Sequence, residues 1–159
     1  MSKPLDMLSI YIDKAAMRRV DALGPPSAEE YFKARSVEKG TDYLHGIMNV
    51  IDGNTSTLLT HISAMIAVLG IMLIIFEDTG YTRIFVMVEM IAYTVLAIVC
   101  VMNMRWRGFV STREKMEVVY LYRTYLRRRY LYQFCVDSVV YITLLFLVTV
   151  IIHLIGLLI

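Results

Sequence analysis

Charge is scarce in this chain and unevenly spread. Asp, Glu, Lys and Arg make up 19% of its 159 residues, and three long stretches hold almost none of them. Hydrophobic residues make up 58%, against roughly 45–50% in an average soluble protein. A buried soluble core is excluded on supply: three such runs leave too little polar chain to cover them. Cysteine is nearly absent. Cys100 and Cys135 stand at the inner ends of apolar segments, with no CxxC spacing. Neither a disulfide framework nor a thiolate metal site follows, and both thiols are expected to be reduced and packed. There is no Gly-rich phosphate loop, no nucleophile elbow and no cluster of histidines, so nothing points to an enzyme, a metal or a cofactor. The opening MSKPLDMLSIYIDK lacks the apolar core and small-residue cleavage pattern of a secretory signal. The first membrane helix is therefore expected to direct insertion. A net charge of only +2 argues against a nucleic acid polymer as partner and fits basic residues gathered at a membrane surface.

What is present is three apolar runs. Residues 53–76 hold 24 residues without Asp, Glu, Lys or Arg; 84–104 hold 21 with one charge, Glu89; 138–159 hold 22. About 20 apolar residues cross the ~30 Å hydrocarbon core as a helix. Helices are required because the bilayer offers backbone amides no other partner. The expected fold class is an all-α integral membrane protein with three transmembrane helices and amphipathic cytoplasmic helices. A short external loop, 77–83, joins the first two spans.

Lys and Arg set the orientation. Residues 1–54 hold seven, the loop holds Arg83 alone, and 105–137 hold eight. The N-terminus and the 105–137 segment are expected in the cytoplasm of a cell with this protein in its inner membrane. The C-terminus is expected in the periplasm.

Outside the spans, Leu5, Leu8, Ile12, Ala16 and Leu23 repeat near helical spacing, so 1–24 reads as an amphipathic helix stopped by Gly24-Pro25-Pro26. It rests on lipid or on protein. Ser27-Ala28-Glu29-Glu30 is a capping box that starts a helix over 27–52, with Asp52-Gly53-Asn54 expected to kink or interrupt it. Trp106 is placed as an interfacial anchor. Ser111-Thr112-Arg113-Glu114 is a second capping box, after which no Pro or Gly occurs until Gly156. One helix from there through the third span would measure roughly 70 Å.

Each span carries one ionisable residue: His61, Glu89 and His153. Such residues usually face a bundle interior or water. Glu89 and His153 each lie about six residues, or ~9 Å, from an outer end, while His61 lies nearer an inner end. Glu89 and His153 can therefore meet, as a polar lock or a pore-lining ring, or as a plain structural hydrogen bond. His61 is a separate polar position, and a three-ligand metal site is excluded by depth. Tyr93 is one turn further in. The other unusual feature is tyrosine interleaved with arginine: Arg123, Tyr125, Arg127, Arg128, Arg129 and Tyr130 form a candidate ligand or headgroup patch. Tyr and Arg together suit a nucleotide. An aromatic and basic belt, or helix packing, is the alternative. Asp42 and His45, at i and i+3, read as a solvated face.

The junction Asp52-Gly53-Asn54-Thr55-Ser56-Thr57-Leu58-Leu59 resembles a motif of the Pycsar-type membrane effectors of bacterial anti-phage defence. There an Asp, a Lys-Ala-Ser and a Leu pair lead into the first span. Asp52, Ser56, Leu58 and Leu59 match; Asn54 stands in place of the Lys and Thr55 in place of the Ala. The resemblance implies an effector that damages the inner membrane when a cyclic nucleotide signal appears.

Two readings of function follow. The first is an oligomeric inner-membrane effector or channel-like protein whose cytoplasmic helices rearrange, with the lipid bilayer, further copies of itself and a cyclic nucleotide as partners. The second is a non-catalytic accessory or scaffold subunit held among other membrane subunits, which the 11 methionines favour. A small transporter is disfavoured by the lack of an inverted repeat.

Overall fold

The computed structural model describes residues 3–34, 40–75, 80–104 and 114–158. Of these, 96% are helical and none lies in a strand. The elements are α1 (Lys3–Ala22), α2 (Ala28–Ala34), α3 (Gly40–Ile75), α4 (Gly80–Met104) and α5 (Glu114–Leu158). The last three are long and apolar enough to cross a membrane. The protein is thus an all-α membrane protein, as its charge-free runs require.

The chain divides into two compact units, Met1–Asn54 with Met102–Tyr132, and Thr55–Val101 with Gln133–Ile159. Helices α3 and α5 contribute to both.

The first unit holds α1, α2 and the opening turns of α3 and α5. Helix α1 stops where Gly24 takes φ +58°, a left-handed conformation that a side chain would strain. The capping box then starts α2 as its sequence indicates: the Ser27 amide donates to Glu30 Oε2 (3.0 Å) and the Glu30 amide to Ser27 Oγ (3.3 Å). The core joins Tyr31 of α2 to Leu44, Met48 and Ile51 of α3 and to Leu121, Tyr122 and Tyr125 of α5. On α3 these residues recur at i, i+4 and i+7, so one stripe faces the cluster. The Tyr31 ring centre lies 4.9 Å from that of Tyr122 and 6.0 Å from that of Tyr125, in tilted arrangements that aromatic quadrupoles favour. Each hydroxyl finds a partner. Tyr31 donates to Tyr125 (3.4 Å), and Tyr122 donates to the Pro26 carbonyl (3.1 Å).

The second unit holds the greater part of the spans. Ile62 and Leu69 of α3, Val86, Tyr93, Leu96 and Cys100 of α4, and Cys135 and Val139 of α5 are buried. Both cysteines are free, as expected. Most of the remaining large side chains, such as Val88, Ile91, Leu144, Leu145, Val148 and Ile152, are exposed. In water that surface would be untenable; in a bilayer it is the solvated surface.

Two expectations need correction. Asp52-Gly53-Asn54 does not interrupt the helix, because α3 runs unbroken through it. Gly53 meets no neighbour that a Cβ would touch, and Asp52 is held in helical register by Arg128. Second, residues 80–83 of the expected 77–83 loop belong to α4, which saves backbone hydrogen bonds next to the membrane. Of the stretch expected as one helix over 27–52, α2 and the start of α3 are described. Residues 35–39 between them, the rest of the loop, Trp106 and residues 111–113 of the second capping box lie outside the described residues. From Glu114 the expected long helix is present in one piece through the third span.

Leu44 is fully buried at the centre of the aromatic cluster. Leu44→Ala is expected to cost about 2–5 kcal/mol, read as a lower unfolding midpoint in detergent. Val50→Ala, on the exposed face of the same helix, should leave the midpoint within about 0.5 kcal/mol of the parent.

Candidate functional site

Two polar clusters stand where apolar helices would be expected to pack with carbon alone. In the second unit, α4 and α5 run antiparallel, and α4 presents Glu89 and Tyr93 one turn apart. Glu89 is 1% exposed. Thr149 of α5 donates to its Oε1 at 3.3 Å and also to the Leu145 carbonyl at 3.1 Å. Glu89 Oε2 has no hydrogen bond. The Tyr93 and Thr143 hydroxyls are 2.7 Å apart. A hydroxyl that meets Glu89 is that of Thr149, one turn before His153 on α5. Depth alone cannot separate two α5 residues four apart, because both lie on one helical face. His153 is half-buried, and His61 on α3 is exposed. The seam closes α4 against α5, so in this conformation Glu89 faces a helix rather than an open path.

In the first unit, Arg128 Nη1 lies 2.9 Å from both carboxylate oxygens of Asp52. The Arg128 side chain is 2% exposed and that of Asp52 is 37% exposed. Asn103, also buried, donates to the Arg128 carbonyl at 3.4 Å. Arg128 Nε and Nη2 and Asn103 Oδ1 carry no hydrogen bond. The pair ties α3 to α5 and leaves part of a buried guanidinium unsatisfied, which is costly in a low-dielectric setting.

The expected Arg and Tyr patch divides. Arg128 and Tyr125 point into the core. Arg127 pairs with Asp13 of α1 at 3.0 Å. Arg129 is exposed and donates to the Tyr125 hydroxyl at 3.1 Å. Tyr130 is half-buried and Arg123 is exposed. Most of the patch is therefore helix packing, not a surface. The heptad-like spacing of Leu121, Tyr125 and Arg128 carried that signal. Arg123 has a different setting, on the wall of a cavity of ≈ 850 Å³ lined also by Val20, Asp21, Glu29, Phe32 and Tyr122. Of the motif residues, Asp52 is ion-paired, while Asn54 and Ser56 are exposed. Asp42 and His45 are exposed on α3, and no group of three metal-ligating side chains occurs among the described residues. Asn103 and Thr149 escaped the sequence reading because a lone amide or hydroxyl in an apolar run has no pattern to mark it.

The two halves of the ion pair are unequally placed, so their removal should be unequally felt. Asp52→Ala strands a buried guanidinium and is expected to cost about 3–5 kcal/mol. Arg128→Met leaves a carboxylate that water can reach and should cost less. Combining Arg128→Met with Asp52→Ala should recover part of the loss, measured by chemical unfolding in detergent.

No family model matches the chain, and neither a curated protein nor a solved structure matches it, so its function rests on these residues and their geometry.

Proposed function

We propose that the protein is an oligomeric effector of the bacterial inner membrane that becomes channel-like, or otherwise perturbs the bilayer, when the helices outside the spans repack. The observation that carries this reading is the polar seam between α4 and α5, where Glu89 is sealed at 1% exposure with one oxygen unsatisfied. A carboxyl held inside a span has no use in an inert anchor and is expensive to keep. Its geometry favours a lock over a lining: Glu89–Thr149 and Tyr93–Thr143 hold a closed arrangement whose parting would expose polar groups at membrane depth. The Arg128–Asp52 pair, with unspent donors, is the matching element near the start of the third span. Both have the character of a bistable contact.

A signal would act on the first unit. The resemblance around Asp52 suggests a cyclic nucleotide, and the cavity beside Phe32 and Tyr122 is of a size that suits a small ligand. Arg123 is the one cation among its described lining residues and the partner it offers a phosphate, beside the carboxylates of Asp21 and Glu29. The Lys and Arg counts support a cytoplasmic setting for this unit and a periplasmic C-terminus.

The test is membrane potential followed with a dye in cells that express the protein alone. Removal of one lock hydrogen bond, by Thr149→Val or Glu89→Ala, is expected to favour the open form by about 1 kcal/mol, roughly a fivefold shift. The resting leak should rise accordingly. No depolarisation under any condition, added cyclic nucleotides included, sinks the reading. The 11 methionines favour the second reading, an accessory subunit. Recovery only in fixed stoichiometry with other membrane proteins would select it, and a symmetric homo-oligomer would reject it. For orientation, Arg83→Cys should react with an impermeant thiol reagent in cells with a permeabilised outer membrane, whereas Lys33→Cys should not.

A further inference from the structure

The outward face of the first turns of α3 in the second unit, before the exposed Val68, Ile71 and Ile74, differs from the exposed faces of α4 and α5 there. Thr55, Ile62 and Leu69, at i, i+7 and i+14, are buried and define the side on which α3 packs. On the opposite side Ser56, Thr57, Thr60, His61, Ser63 and Ala64 are exposed. On α4 and α5 the corresponding faces carry Val88, Ile91 and Val95, and Leu144, Val148 and Ile152. Those suit acyl chains; six small or polar side chains including an imidazole do not.

Hydroxyls on this face do not themselves exclude lipid. Thr60 donates to the Ser56 carbonyl at 3.1 Å and Ser63 to the Leu59 carbonyl at 2.9 Å, so the helix satisfies both. His61 differs: among the described residues its ring makes no hydrogen bond, to its own helix turn or to any other group. One ring nitrogen donates and the other accepts, so in hydrocarbon both would go unsatisfied. Polar residues inside a span face a bundle interior or a water-filled cavity, and none of the described helices of this unit covers this side of α3. Ala64, one turn deeper, keeps the surface open for water to reach the ring.

We infer that this face of α3, centred on His61, borders water and lines a hydrated cavity formed between copies of this chain. The inference rests on the oligomeric reading above and alters it in one respect: the wall of the path is α3, while Glu89 stays in the lock behind it.

Variants that each add one cysteine to the full chain, in liposomes, test it with a charged methanethiosulfonate as probe. His61→Cys and Ala64→Cys are the sites, and Leu145→Cys is the lipid-facing reference. The buried native Cys100 and Cys135 report the background. Ala64→Cys guards against a folding defect at His61, because it changes only a small exposed side chain and keeps the imidazole. Both α3 thiols should react roughly tenfold or more faster than Leu145→Cys, since a thiol in hydrocarbon forms little thiolate. Equal, slow reaction at all three overturns the inference. If the membrane still depolarises while the α3 thiols stay inert, this wall is wrong and the conducting reading stands. Fast α3 thiols in a protein that never depolarises a membrane keep the hydrated face and remove the conducting reading.

Discussion

Hydrocarbon offers no hydrogen bond, and the arrangement of this chain follows from that constraint. It forces the three long runs into helices, because only a helix satisfies its own backbone. It also keeps α3 and α5 unbroken where charged and apolar sequence meet. A kink at Gly53 would release backbone groups beside a membrane for no gain, so the glycine's freedom goes unused and its helix continues. The same constraint gives each polar side chain within the spans a meaning that it would lack in water. Tyr93 and Thr143 satisfy each other, Thr60 and Ser63 satisfy themselves, and among the described residues Glu89 Oε2, Asn103 Oδ1 and the His61 ring are left over.

The two units solve different problems. The first is built like a small soluble core. Its apolar stripe from α3 meets tyrosines of α2 and α5, and each buried hydroxyl there is bonded to another or to a carbonyl. Directional bonds at the rim of an aromatic cluster fix one arrangement, and the Arg127–Asp13 and Arg128–Asp52 pairs add two more fixed points. The second unit exposes many large apolar side chains. Its cohesion comes from close packing around Ile62, Leu69, Tyr93 and Cys100 and from the polar seam, because lipid gives no hydrophobic reward for joining helices.

Periodicity and charge made much of this legible in the sequence. The spans, the α1 stop at Gly24, the Ser27–Glu30 cap and the unbroken run of α5 all rest on local rules: length, a left-handed glycine, a four-residue box, an absence of Pro and Gly. The site was legible only in part. Glu89 stood out as a charge in an apolar run, but Thr149 did not, since depth fixes a level on a helix and not which residues on one face reach across. The Arg and Tyr segment was read from its composition, which left a ligand patch and helix packing both open. Six chemically promising residues lie in one helix, and rotation about the helix axis sends Tyr125 and Arg128 inward while Arg123 and Arg129 stay at the surface.

What the sequence by itself determined is therefore the class: three hydrophobic helices and amphipathic ones beside them, since solvent preference and backbone satisfaction are properties of each segment alone. What only the tertiary structure decided is pairing: Arg128 with Asp52, Thr149 with Glu89, Tyr93 with Thr143, and, among the described residues, the lack of a hydrogen bond to His61. Pairing depends on helix rotation and register, which are set by side chains distant in the chain and leave no local mark.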